Sequence, residues 1–192
     1  ALQPASLNER DLQLYAYCPL LGMDAESGAQ GWTTARPSGG TPLWSIVPSS
    51  PQGGSRAWHD SPGGNYANNV DTQLLSPQFS VAPYSAPRLR LRSYCDTESG
   101  WDFGTVQVRP SPMAAWETVY SCSGDASWRS LDLPLPQLEG ATQAQIRFRL
   151  TSDTSQVRDG WYVDDIVLEA GGAACRAQQQ PAAVFGDGFE VQ

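Results

Sequence analysis

Ten residues near the C-terminal end, Asp159-Gly160-Trp161-Tyr162-Val163-Asp164-Asp165-Ile166-Val167-Leu168, constrain the fold more than any other stretch of the chain. They read as a buried strand interrupted by two adjacent carboxylates. Trp161 and Val163 share one strand parity, Ile166 and Leu168 the other. Side chains alternate along a strand with a period of two, so all four reach one face only if a residue is inserted between the pairs. Asp164-Asp165 is the insertion point, and a β-bulge is expected there that re-aims at least one carboxylate. A carboxylate inside an apolar core needs an ion pair, hydrogen bonds or a metal. A hard cation such as calcium suits its oxygens. The alternative is a surface bulge with both acids in water.

Composition narrows the setting. With 18 Gly, 15 Pro and 7 Trp in 192 residues, and few apolar runs at helical spacing, the chain favours short strands joined by turns. Its 20 acidic and 12 basic residues leave a net charge of -8, which argues against nucleic acid and anionic membrane surfaces as partners. Every basic residue is Arg, as in products of GC-rich bacterial genomes. The four cysteines, Cys18, Cys95, Cys122 and Cys175, form no C-x-x-C pair, and His59 is the only histidine. Two disulfides in an oxidising compartment therefore account for them better than a zinc site. No stretch approaches the roughly 20 apolar residues of a membrane span. No signal peptide is evident, so a processed product or an excised domain is expected.

Alternation locates the strands. In Arg88 to Cys95, Leu89 and Leu91 point inward and the arginines outward; Val106 and Val108 repeat the pattern. Ile146, Phe148 and Leu150 repeat it again with Arg147 and Arg149 outside. Further strands are expected at Leu43 to Val47, Ala57-Trp58, Trp116 to Tyr120 and Trp128 to Leu133. Such strands, separated by Gly, Pro and Ser turns, predict an all-β, antiparallel sandwich with one face of a sheet in water. Residues 1–21 read as an arm, 22–169 as the sandwich, and 170–192 as a linker and tail ending in Val184 to Glu190.

The order of motifs resembles a known family. Glu26-Ser27-Gly28 with Gly31-Trp32-Thr33 comes first, then Trp58 to Asn69 and Leu74-Leu75-Ser76-Pro77. Glu98 and Asp102 follow, then Arg147-Phe148-Arg149 with Ser152-Asp153, and finally Asp159 to Ile166. Together they resemble the jelly-roll β-sandwich of the MAM and immune inhibitor A type, found near the C-terminus of secreted bacterial peptidases. The resemblance covers about residues 24–169; residues 1–21 with Cys18 have no counterpart in it. The tail ending in Phe185 to Glu190 also resembles short endings of exported proteins from soil gammaproteobacteria.

The resemblance implies calcium near the junction of first and last strands, held by Glu26, Asp60 and Asp165. Asp164 would substitute if the bulge points the other way, and the main-chain carbonyls of Asp24 and Gly63 would add oxygens. Without the resemblance, Asp60-Ser61-Pro62-Gly63 reads equally as a plain turn. If the strands ending at Cys95 and Cys122 run up, with one running down between them, these cysteines finish at the same end and pair. The closeness of first and last strands in a jelly roll would pair Cys18 with Cys175.

A second acidic group, Asp96, Glu98, Asp102, Asp153 and Asp159, lies in two loops expected at one end, where solvated acids are the commoner outcome. Trp101, in the loop Glu98-Ser99-Gly100-Trp101-Asp102, is either packed, the favoured reading, or a ring for stacking on a ligand beside Glu98 and Asp102. No Gly-x-Ser-x-Gly elbow or His-Glu-x-x-His stretch exists, and His59 reads as a loop or edge residue. The expected function is a non-catalytic, calcium-stabilised accessory domain of a secreted bacterial protein, with a stabilising or surface-targeting role. Its partners would be the catalytic domain of a parent hydrolase, or a protein or glycan surface. A carbohydrate-binding module and a free-standing adhesive module are the alternatives.

Overall fold

The computed structural model describes residues 17–38, 44–48 and 55–175. Among the described residues eleven strands form: β1 (Cys18–Met23), β2 (Thr33–Ser38), β3 (Ser45–Pro48), β4 (Arg56–His59), β5 (Asp71–Leu75), β6 (Ser85–Asp96), β7 (Phe103–Arg109), β8 (Glu117–Cys122), β9 (Asp125–Pro134), β10 (Gln145–Thr151) and β11 (Gly160–Gly171). One sheet runs β3-β4-β11-β6-β9, with β1 also paired to β11; the other runs β2-β5-β10-β7-β8. Every pairing is antiparallel, and the two sheets stack as a sandwich. No helix of the described residues is long and apolar enough to cross a membrane.

The alternating pattern explains which faces meet. Leu89 and Leu91 of β6 and Ile146, Phe148 and Leu150 of β10 are buried, while Arg90 between the leucines is exposed. On the outside of the second sheet Arg149 forms a forked pair with Asp71, both bonds 2.8 Å, and Arg147 and Arg109 cover the Trp116 ring. Charged stems thus shield aromatic surface that the core does not take. Trp161 fills the centre, edge-on to Trp44 and Phe148 at 5.7 and 5.6 Å, with its indole N–H donating to Ser93.

The bulge sits where parity required it. Asp164 pairs with Arg92 and Val167 with Arg90, so β11 places one more residue than β6 over that interval. Trp161, Val163, Ile166 and Leu168 are all wholly buried. The inserted residue is Asp165, at a φ of +49°, and its side chain is exposed while Asp164 is buried. The first-choice buried carboxylate, Asp165, is thereby corrected to Asp164: the left-handed backbone at 165 turns that side chain to solvent.

Cys95 of β6 is bonded to Cys122 of β8, tying the two sheets together, and Cys18 at the start of β1 is bonded to Cys175 beyond β11. Residues 18–21, expected in the arm, are part of β1, and residues 170–171, expected in the linker, complete β11. The rest of the arm up to residue 16, and the tail from residue 176, lie outside the described residues.

Candidate functional site

The turn after β1 comes to the bulge. There the Asp24 carbonyl accepts the Glu26 N–H at 2.7 Å, and the Asp24 carboxylate accepts the Ser27 N–H at 3.1 Å. Glu26 reaches across to the entry of β4, accepting the Ser55 N–H (2.6 Å), the Ser55 hydroxyl (2.9 Å) and the Arg56 N–H (2.8 Å). Those donors, the Ser55 hydroxyl foremost, hold the Glu26 carboxyl below its usual range. Nothing in the sequence pattern had singled out Ser55.

Asp164 is the anomaly. It is 0% exposed, and neither carboxylate oxygen has a hydrogen-bond partner. Burial pushes its pKa up to about 6; the Asp165 amide opposes this, and the charges of Asp165, Glu26 and Asp24 add to it. A buried carboxylate helped only by the Asp165 amide, among three more acids, is unfavourable as an anion. A hard cation would resolve it, supplying charge and taking carboxylate and carbonyl oxygens together. Asp24 and Asp165 also line a cavity of about 750 Å³ over β1, β6, β9 and β11, together with Arg90 and Arg92.

Asp60 and Gly63 are not brought to this place. Asp60 is 1% exposed and accepts the Trp161 N–H at 2.6 Å, at the opening of β11. Three residues of strand, roughly 10 Å, separate Trp161 from Asp164. Gly63 belongs to the turn closed by the Gly64 N–H on the Ser61 carbonyl, on the Asp60 side. Burial first, with Asp159 as a like charge, raises the Asp60 pKa to about 7. Gly160 is needed there: a Cβ would lie 2.3 Å from the Asp60 carboxylate, and its φ is +110°.

His59 stacks on Tyr162 at 3.8 Å, and its Nε2 lies 2.8 Å from the Asp159 carbonyl. Burial lowers its pKa. The Ser61 hydroxyl is 3.2 Å from the same nitrogen, a spacing that suggests a nucleophile–base pair. Both residues are buried, however, and the Ser61 hydroxyl donates to the Asp159 carbonyl at 2.9 Å. The pair is a structural clasp.

The second acidic group splits. Glu98, Asp102 and Asp153 present oxygens all within 4.8 Å of one another, a grouping able to hold a metal ion; Asp96 and Asp159 stand apart from it. These three are already served by donors. Asp102 accepts the Tyr66 hydroxyl (2.6 Å) and the Asp153 N–H (2.7 Å), Glu98 accepts Gln156 (2.5 Å) and Ser155 (3.3 Å), and Asp153 accepts the Ser155 N–H (2.8 Å). Trp101 is 66% exposed, against the favoured expectation of packing, because its loop turns out from the sandwich while Glu98 and Asp102 turn in.

No family model matches the chain. Bacillopeptidase F of Bacillus subtilis (strain 168) is 30% identical over 151 residues, which is 76% of this chain but only 10% of that protein. Among solved structures, the K3 cleaved adhesin domain of Lys-gingipain from Porphyromonas gingivalis superposes with a TM-score of 0.58 at 17% identity, covering 81% of this chain and 99% of that one. A family 61 carbohydrate-binding module in complex with β-1,4-galactotriose gives 0.53 at 14%, covering 76% and 92%. The family 22 carbohydrate-binding module of Clostridium thermocellum Xyn10B gives 0.55 at 13%, covering 80% and 94%. These structures share the β-sandwich fold. They do not single out the MAM and immune inhibitor A type.

Proposed function

We propose that this chain is a non-catalytic accessory module of an exported bacterial hydrolase, which stabilises, positions or targets its parent and is itself pinned by calcium. The similarity to a tenth of Bacillopeptidase F supports a peptidase as the parent. Two disulfides support an extracellular setting. Burial of the sole histidine and its serine neighbour supports the absence of catalysis.

The observation that carries the calcium reading is Asp164, buried with both oxygens unpartnered beside Glu26 and Asp24. Asp164 and Glu26 would be the carboxylate ligands, with an oxygen from Asp24. The ion would neutralise the cluster and tie β1, β4 and β11 at one point. Binding free energy at a site absent from the unfolded chain adds to folding stability. At about 100-fold excess over Kd this is roughly 2.7 kcal/mol, or a rise in melting temperature of roughly 5 to 10 °C. Calcium should give that rise over chelated protein, and Asp164→Asn should abolish it. Glu98→Gln should leave it intact; loss in that variant would move the site to the Glu98 trio. Identical melting with and without calcium overturns the reading.

A carbohydrate-binding role is the second reading, favoured by the exposed Trp101. A single ring, with Glu98 and Asp102 withdrawn, offers a small surface for it.

A further inference from the structure

On the outer face of the first sheet, two residues along β11 from Asp164, three aromatic side chains outside the core cluster come together. Tyr94 of β6 and Tyr162 of β11 are direct cross-strand partners, and Trp128 stands on β9, the strand at the sheet's edge. Their neighbours Trp161 and Val163 point into the sandwich, so alternation puts Tyr162 on the opposite face. Ring centroids are 5.8 Å apart for Tyr94 and Trp128, 5.7 Å for Tyr94 and Tyr162, and 6.3 Å for Trp128 and Tyr162. With Pro48 and Asp159 they line a cavity of about 220 Å³.

Of the residues lining the cavity, Asp159 alone is charged. Asp159 accepts the Tyr162 hydroxyl at 3.1 Å, and among the described residues no arginine pairs with Asp159 or Asp96. The charges felt by the Tyr94 hydroxyl are those of Asp96 and Asp159, and the nearby carboxylates raise its pKa beyond what burial does. The chain has no Lys to supply compensation.

Aromatic rings around an unpaired carboxylate attract an organic cation, through the ring quadrupoles and the direct charge. A sugar ring prefers a flat platform, whereas these rings are inclined to one another by 42°, 77° and 57°. The cavity is also smaller than the roughly 300 to 1,000 Å³ of sites that enclose a whole small molecule. It suits one side chain.

We propose that this cavity receives the basic side chain, arginine or lysine, of a protein partner. The proposal extends the accessory-module reading by giving the chemistry of what the module holds. It fails separately, because the calcium test reads melting temperature and this one reads binding at another place on the sheet.

Titration of calcium-saturated protein with Nα-acetyl-arginine amide should shift the Trp128 indole N–H resonance saturably. The neutral norleucine counterpart should not. Asp159→Asn keeps an acceptor for Tyr162 and leaves the carbonyl that holds His59, so it should fold; Trp128 lies outside the core cluster, so Trp128→Ala should fold too. Both variants, read through the Tyr94 and Tyr162 amides, should bind at least about tenfold more weakly. Absence of any shift at tens of millimolar overturns the proposal, as does equal binding of the norleucine amide or full binding by Asp159→Asn. A shift with a neutral β-1,4-linked oligosaccharide in place of the arginine derivative also overturns it, and assigns the cavity to glycans.

Discussion

Asp60 shows how one buried carboxyl sets a pH dependence. It donates nothing, accepts the Trp161 N–H through one oxygen, and leaves the other without a partner. Its pKa rises from the ordinary 3.8 to about 7, chiefly by burial. The folded state therefore holds the proton more tightly than the unfolded chain. Below the unfolded value the carboxyl is neutral in both states and costs nothing. The penalty grows as pH rises through the window from 3.8 to about 7 and is complete above it. Asp60→Asn mimics the protonated form and keeps the Trp161 bond. It should raise stability at pH 8 by up to about 4 kcal/mol, with the gain vanishing near pH 4. Denaturant unfolding of both proteins across that range checks this; a loss of stability at pH 8 would mean that the charge is compensated.

At the scale of elements, the approach of the two sheets is set where β7 passes the core tryptophan. Gly104 pairs with Cys122, and a Cβ on it would lie 2.7 Å from the Trp161 ring and 2.8 Å from the Cys122 sulfur. Neither neighbour yields easily: Trp161 is locked by Trp44, Phe148 and Ser93, and Cys122 by its bond to Cys95. Gly104→Ala should destabilise by about 1 to 3 kcal/mol through overpacking. The readout is the denaturation midpoint with an unchanged slope. A fully neutral substitution would show that the sheets separate more freely than this packing implies. The same crowding explains why a glycine interrupts a strand otherwise rich in β-branched residues.

For the whole molecule, the main question is what holds the chain's first strand to its last. Among the described strands β1 pairs only with β11, along the same edge that β4 takes further up. Its outer residues are partly exposed, so burial alone anchors it weakly. The Cys18–Cys175 bond closes a separation of 157 residues around this pairing. Replacing both cysteines by Ser should cost about 3 to 5 kcal/mol by chain entropy. The amides of Leu21, Gly22 and Met23 should exchange hydrogen faster than those of β6 and β10, which stay inside their sheets. Uniform acceleration across all strands would instead place β1 in the same cooperative unit as the core.

The sequence alone was enough for the sandwich and for the bulge at Asp164-Asp165 in its last strand. The Arg-Leu alternation of β6, the Ile-Phe-Leu alternation of β10 and the parity break at Asp164-Asp165 are local properties, read along the strand with a period of two. Whether Asp164 or Asp165 would be the buried one was not local. It depended on which residue the bulge twisted to a positive φ, and β6 decided that by pairing. The placement of Asp60 beside Trp161 rather than Asp164, and of Ser55 on Glu26, came from contacts between segments about a hundred and about thirty residues apart. The aromatic cavity was equally hidden. Tyr94, Trp128 and Tyr162 stand far beyond any local period from one another in the chain, and only the order β11-β6-β9 sets them side by side. Strand periodicity reports which face a side chain takes; only tertiary pairing reports who shares that face.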